Sequence, residues 1–146
     1  MTPNNNVLKI SDIWHEPVQF KITVIKEGGC RAHHKTGDTF ECTWTTPEGL
    51  CPESFIGMYP LFQSLRVMGD MRELGSPQRN CRVYNCPSRV IQFQIDATYL
   101  CNLCGTTLPI QANEIPGHLL ENSAKTIHLR VCSKCFEEHK NRALSW

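Results

Sequence analysis

Hydrophobic and polar residues alternate along three short stretches of the first hundred positions, FKITV at 20–24, FECTW at 40–44 and VIQFQID at 90–96, and CRVYNC at 81–86 is a fourth strand-like stretch. A period of two residues is typical of a strand with one buried face. Stretches rich in Gly, Pro and Asn separate the four. We therefore predict four strands, whose shared apolar face carries Phe20, Ile22, Val24, Phe40, Trp44, Ile91, Phe93 and Ile95.

A helical period appears between the second and third of these strands. In residues 51–66, apolar side chains recur every three or four positions, at Phe55, Met58, Tyr59, Phe62 and Leu65. Pro52 suits a first helical turn, but Pro60 predicts a kink or two short helices, because proline removes a backbone donor. Residues 18–97 are therefore predicted to form an α+β domain, a small antiparallel sheet in the order ββαββ covered by one helical segment.

The rest of the chain falls into two segments. Residues 1–17 begin with a polar run and are predicted to be a flexible N-terminal segment. Residues 98–146 form a module so small that a metal ion or disulfides would have to supply part of its stability. The chain begins without the basic start and apolar run of a secretory signal, which favours the cytoplasm. In that reducing compartment the nine cysteines are better explained by metal binding, thiol chemistry or burial than by disulfides.

Two Cys-x-x-Cys pairs dominate the C-terminal module. Cys101 and Cys104 lie in CNLCG, and Cys132 and Cys135 lie in VCSKC. Four thiolates at this spacing predict one structural zinc ion, because they close its tetrahedron and leave no open position for catalysis. Iron or an iron–sulfur cluster is the alternative, since both also take four thiolates. His139, one helical turn after Cys135, is a possible substitute ligand, although a solvent-exposed histidine is the simpler interpretation.

The surroundings of the second pair suggest how the module folds. A strand-like TIHLRV precedes Cys132, and the helix-forming FEEHKNRAL follows Cys135. A first cysteine pair in a turn, a β-hairpin and a helix that starts at the second pair resemble a treble-clef zinc finger. We therefore expect a small zinc-bound hairpin and helix in residues 98–146.

Four upstream residues form a possible second metal site. Cys30, His34, Cys51 and Cys86 lie in loops or at element ends, where the ligands of sites usually occur. Simple topology places the loops that carry Cys30 and Cys51 at opposite poles of the sheet, unless the HHKTGD loop folds over. Of the remaining two cysteines, Cys42 is interpreted as a small core residue, whereas Cys81 begins a strand and carries no motif.

Cys51 also has a catalytic interpretation. It directly precedes Pro52 at a predicted helix start, and the positive end of a helix favours a thiolate. His33 or His34 would be its base only if their loop reaches across.

Several of these motifs resemble those of a family of short, functionally uncharacterised bacterial proteins. That family has the pattern Cys-x-x-x-His-Lys-x-Gly-Asp, then Pro-x-Gly-Leu-Cys, a proline in the following helix and a late Cys-Pro. The resemblance covers residues 20–96 and implies a fold unit without an established activity. The matching positions are Cys30, His34, Lys35, Gly37, Asp38, Gly49, Leu50, Cys51, Pro60, Gly69, Cys86 and Pro87.

Three functions are compatible with these features. The first is a non-enzymatic metal-binding protein whose zinc module contacts a partner protein. The alternatives are a redox or iron–sulfur accessory protein that uses the upstream cysteines, and a thiol-dependent enzyme with Cys51 as its nucleophile. Nucleic acid is weakly supported as a partner, because the net charge is only +1 and the C-terminal cations alternate with Glu137 and Glu138. No stretch is long and apolar enough to span a membrane.

Overall fold

The protein is described by a computed structural model over residues 7–146, which form two compact units, residues 18–98 and residues 7–17 together with 99–146. The fold is α+β, with small sheets and two helices. The strands are β1 (Val7–Lys9), β2 (Val18–Lys26), β3 (Thr39–Cys42), β4 (Cys81–Asn85), β5 (Gln92–Tyr99), β6 (His118–Glu121), β7 (His128–Val131) and β8 (Ala143–Ser145), and the helices are α1 (Pro52–Arg66) and α2 (Ser133–His139). Within residues 7–146, neither helix has the length and apolarity needed to cross a membrane.

The unit of residues 18–98 contains a four-stranded sheet in the order β3-β2-β5-β4. The β2/β3 and β4/β5 pairs are antiparallel. Helix α1 packs on the sheet through Phe62, whose ring centroid lies 4.6 Å from that of Phe20. The core of this unit lies between the sheet and α1, as the strand alternation and the helical period predicted. Its fully buried members include Phe20, Ile22, Val24, Met58, Phe62, Leu65, Ile91, Phe93 and Ile95.

Two aromatic residues depart from the expected buried face. Trp44 is 60% exposed, because β3 ends at Cys42 and the indole instead lies against the guanidinium of Arg66, 4.4 Å from its ring centroid. Phe40 is half-buried near the edge of the sheet, and Cys42 takes the buried position beside Phe20. The alternation was interpreted correctly in phase, but the strand is shorter than predicted.

Helix α1 runs without interruption through Pro60, so the predicted break into two helices does not occur. The carbonyl that loses its partner to Pro60 is that of Ile56, and both residues lie on the exposed face of the helix. Solvent can hydrate that carbonyl, which makes the proline tolerable there. Tyr59, expected in the buried stripe, is 40% exposed, and Ser54 is buried instead.

The second unit joins the two ends of the chain. Strand β1 pairs in parallel with β8, the β6/β7 pair is an antiparallel hairpin, and α2 follows it. The sequence predicted a separate, flexible segment of residues 1–17, whereas residues 7–17 are grouped with the C-terminal module, because their backbone pairs with it. Residues 1–6 of that segment lie outside the described residues.

Candidate metal centre

The structure brings together the four cysteines of the C-terminal module. One ligand atom from each of Cys101, Cys104, Cys132 and Cys135 lies within 4.8 Å of all the others. The sulfurs of Cys104 and Cys132 lie 3.7 Å apart. The first pair lies in the turn after β5, while Cys132 caps α2 and Cys135 lies in its first turn. The arrangement is chemically suited to one thiophilic metal ion.

Backbone geometry explains why the first pair faces one point. Gly105 has a φ of 78°, and its N–H donates to the carbonyl of Cys101 at 2.9 Å. The N–H of Cys101 in turn donates to the carbonyl of Thr106 at 2.7 Å. A residue with a side chain would be strained at this left-handed position, so glycine permits the tight turn that points both sulfurs the same way.

Asn102, which sequence reasoning did not single out, fixes this turn in place. Its side chain accepts the N–H of Arg130 at 2.9 Å and donates to the carbonyl of His15 at 3.0 Å. Its own N–H donates to the carbonyl of Arg130, and its carbonyl accepts the N–H of His15. The residue is 2% exposed, so these bonds satisfy its buried polar groups and tie the turn to β7 and to residues 7–17. The only sequence signal was an asparagine between two predicted ligands.

The thiols of the cluster differ in their electrostatic surroundings. Hydrogen bonds from the side chain and backbone of Thr106 lower the pKa of Cys104 to about 6. Burial, followed by the neighbouring cysteines, raises the pKa of Cys135. Four thiolates at this spacing repel one another, and a bound cation would remove that repulsion.

His139 is not a member of the cluster. Its Nδ1 lies 3.1 Å from Nη1 of Arg142, and its Nε2 lies 3.6 Å from a carboxylate oxygen of Glu138. Within residues 7–146, the group of metal-ligating atoms that converges consists of the four cysteines without this histidine. His139 is therefore not a ligand, but it is also not the solvent-exposed histidine expected from the sequence, because only 16% of its side chain is exposed.

The upstream residues are arranged differently from the predicted set of four ligands. Cys30, Cys51 and Cys86 line one cavity of about 600 Å³, so the loop after β2 does fold over and brings Cys30 to the start of α1. His34 does not line this cavity. It is 5% exposed, packs edge-on against Phe40, and its Nε2 accepts the backbone N–H of Cys51 at 3.2 Å. Its role is therefore to hold the start of the helix.

The same contact weakens the catalytic interpretation of Cys51. The residue does cap α1, as predicted, and it is half-buried. However, the ring nitrogen that would have to act as a base already accepts the N–H of Cys51. His33 has a left-handed backbone conformation, with a φ of 60°, and does not line the cavity that Cys51 faces.

Cys42 is buried in the sheet, as expected of a core residue, and Cys81 is buried there as well. Burial raises the pKa of both thiols, and for Cys81, which lies opposite Asp96 on β5, it reaches about 11. Cys86 is different. Burial opposes its ionisation, but hydrogen bonds from Ser88 and from backbone amides, including that of Ile91, outweigh burial and lower its pKa.

Comparison with known proteins adds no family to this description. No family model, curated protein or solved structure matches the chain. The resemblance to the family of short bacterial proteins therefore stays a prediction from the motifs of residues 20–96.

Proposed function

We propose that this is a small, non-enzymatic zinc protein whose C-terminal unit is a treble-clef-like binding module. The observation that carries the proposal is the convergence of Cys101, Cys104, Cys132 and Cys135. Four thiolates complete the tetrahedron of a zinc ion, so the ion would have no free position for water or substrate. Its role would be to stabilise a unit too small to fold well on apolar burial alone.

The elements around the cysteines support the treble-clef assignment. The first pair lies in a tight turn closed by Gly105, the β6/β7 hairpin follows, and α2 begins at the second pair. Zinc is favoured over iron because this combination of turn, hairpin and helix is typical of structural zinc modules.

Protein is the partner class that the surface of this unit supports. Ile110, Ile115 and Leu119 are each at least 40% exposed. The two cations that follow α2 instead make contacts within this unit. Lys140 pairs with Glu137 at 2.7 Å, and Arg142 contacts His139. A protein partner in the cytoplasm is therefore the proposed context, and nucleic acid has little support from charge.

Metal analysis of the full-length protein, purified anaerobically, tests the proposal. We expect one zinc per chain by native mass spectrometry, no visible absorption from that site, and loss of the zinc in Cys132→Ser. Cys42→Ser is the matched control, because Cys42 is buried in the sheet of the other unit and is not a member of the cluster, and it should retain the zinc. Iron in place of zinc in the wild type, or zinc retained by Cys132→Ser, would overturn the assignment.

A further inference from the structure

A second cluster of thiols lies in the unit of residues 18–98. Cys30 comes from the loop after β2, Cys51 from the start of α1 and Cys86 from the loop after β4, and all three line one cavity of about 600 Å³. We propose that this cavity holds an iron–sulfur cluster of the [4Fe–4S] type, ligated by these three cysteines. The inference is independent of the zinc site, since it concerns other residues.

Two of the three sulfurs are presented by the same local structure. The sulfur of Cys30 accepts a hydrogen bond from the backbone N–H of Ala32 at 3.3 Å. The N–H of His33 donates to the carbonyl of Cys30 and so closes a turn. The sulfur of Cys86 accepts a hydrogen bond from the backbone N–H of Ile91 at 3.3 Å. The N–H of Arg89 donates to the carbonyl of Cys86, which closes the corresponding turn. Backbone amides that point at sulfur stabilise a negatively charged ligand, as they do around iron–sulfur clusters.

Backbone strain accompanies both turns. His33 and Arg89 each occupy the third position after their cysteine, and both have left-handed backbones, with φ values of 60° and 62°. A residue other than glycine is disfavoured in this conformation, and such strain concentrates at functional sites. The repetition in two unrelated loops indicates that the turns serve the sulfurs rather than the loops.

The loop that carries the first cysteine also positions the backbone of the third. His34 lies four residues after Cys30, is buried, and accepts the backbone N–H of Cys51. One loop therefore supplies Cys30 directly and positions Cys51 through His34. Cys51 also caps the fifteen-residue helix α1, whose positive end favours an anionic group in the cavity, and Arg31 adds a cation to the cavity lining.

The spacing of the sulfurs selects a cluster over a single ion. Among residues 7–146, the four C-terminal cysteines are the group of three or more ligands that converges closely enough to share one ion, and the three upstream sulfurs do not form such a group. A single zinc or copper ion needs its thiolates close together. A four-iron cluster distributes its ligands over different iron atoms and fills the space between them. Three cysteines leave its fourth iron facing the cavity, whose lining also includes Glu53.

The test is anaerobic reconstitution of the zinc-loaded, full-length protein with sulfide and equal amounts of ferrous and ferric iron, which supply both oxidation states of the cluster without a separate oxidant. We expect about four irons and about four acid-labile sulfides per chain, with a broad visible absorption band. The triple variant Cys30→Ser, Cys51→Ser, Cys86→Ser should lose both sulfide and absorption. Cys42→Ser and Cys81→Ser should retain them, because those thiols lie outside the cavity. Circular dichroism establishes that each variant is folded.

Two further variants assign the site. His34→Gln keeps all three ligands and should release the cluster several-fold faster on exposure to a chelator, because Cys51 loses its backbone contact. Cys132→Ser should leave the sulfide content unchanged, since sulfide bound by the C-terminal cysteines would be lost. A colourless single ion in the cavity, a disulfide between two of the three cysteines, absence of labile sulfide in the wild type, or sulfide retained by the triple variant would overturn the proposal.

Discussion

Asn102 illustrates how a single uncharged residue can support a candidate metal site without supplying one of its ligands. Its side chain bridges the backbone of Arg130 on β7 and the backbone of His15, and both bonds are shielded from water. A buried amide leaves its partners unsatisfied when it is removed, and this costs more than the bond itself contributes. The geometry of the first cysteine pair therefore depends on a residue between the ligands.

Replacing Asn102 with alanine should destabilise the unit of residues 7–17 and 99–146, called here the proposed zinc unit, by about 1–3 kcal/mol. The matched control is Asn122→Ala. Asn122 also makes side-chain hydrogen bonds, to Thr126 and Ile127 in the β6/β7 loop, but water can replace them there. Urea unfolding followed by zinc release to a chromogenic chelator measures both variants. Equal effects at the two positions would show that burial of Asn102 is unimportant.

A second prediction at this scale concerns Cys81, whose thiol should stay unreactive well above neutral pH. Burial is the main cause of its raised pKa of about 11, and the carboxylate of Asp96 adds to it. The thiolate is the reactive form, so alkylation of Cys81 should reach half its maximal rate only near pH 11. Asp96→Asn should lower that pH, because it removes the neighbouring negative charge. Peptide mass spectrometry after iodoacetamide labelling gives both values, and an unchanged pH in Asp96→Asn would leave burial as the only cause.

At the scale of elements, the parallel pair of β1 and β8 is the feature with the least sequence support. Val7, Leu8 and Lys9 pair with Ala143, Leu144 and Ser145. Leu8 is buried, while its neighbours Val7 and Lys9 are exposed. Strands of three residues are too short to show a period, and their partners lie at the other end of the chain.

Leu8→Ala should therefore weaken the zinc unit, although Leu8 is distant from every cysteine ligand in sequence. The loss of a buried leucine side chain typically costs about 2 kcal/mol or more. Lys9→Ala, in the same strand but exposed, should change stability by less than about 0.5 kcal/mol. Thermal unfolding of the zinc-loaded protein, monitored by zinc release, compares the two. If both variants behave like wild type, the β1/β8 pair does not contribute to the unit.

The long elements were predictable and the tertiary contacts were not. The period of two in residues 20–24 and 90–96 marks buried strands because the sheet has one apolar face against α1. Trp44 carries the same alternation but lies beyond the end of β3, since cation–π contact with Arg66 competes with burial. The fold-over of the Cys30 loop was left open, because the hydrogen bond between His34 and Cys51 has no local sequence signature.

The same distinction holds for the candidate sites. The C-terminal cysteines were identifiable because each pair is spaced for one ion within a single turn. The predicted upstream set combined three cysteines from separate loops with His34. In the structure the three cysteines line one cavity, whereas the ring of His34 accepts a hydrogen bond from the backbone N–H of Cys51. A histidine in the sequence does not reveal whether its ring nitrogen already accepts a hydrogen bond.

For the molecule as a whole, the chain order makes the stability of the two units asymmetric. The unit of residues 18–98 is continuous in sequence and has its own apolar core. The zinc unit is assembled from both ends of the described chain, so the other unit forms a long insertion between its two segments. If the inserted unit unfolds, its chain becomes a long flexible loop, which raises the entropic cost of bringing the two segments of the zinc unit together. Loss of zinc, by contrast, removes no core residue from the inserted unit.

Removal of zinc should therefore unfold one unit and leave the other folded. With a strong chelator, hydrogen exchange should accelerate in β7 and α2, and also in β1, because β1 pairs with β8 of the same unit. The amides of β2 and β4 should keep their protection, since their unit carries a core built from residues such as Phe20, Phe62 and Phe93. Adding zinc back, but not magnesium, should restore the original exchange pattern, because a four-thiolate site selects a thiophilic ion. Equal acceleration in β2 would mean that the zinc ion stabilises the whole chain, and unchanged exchange in β1 would separate residues 7–9 from the zinc unit.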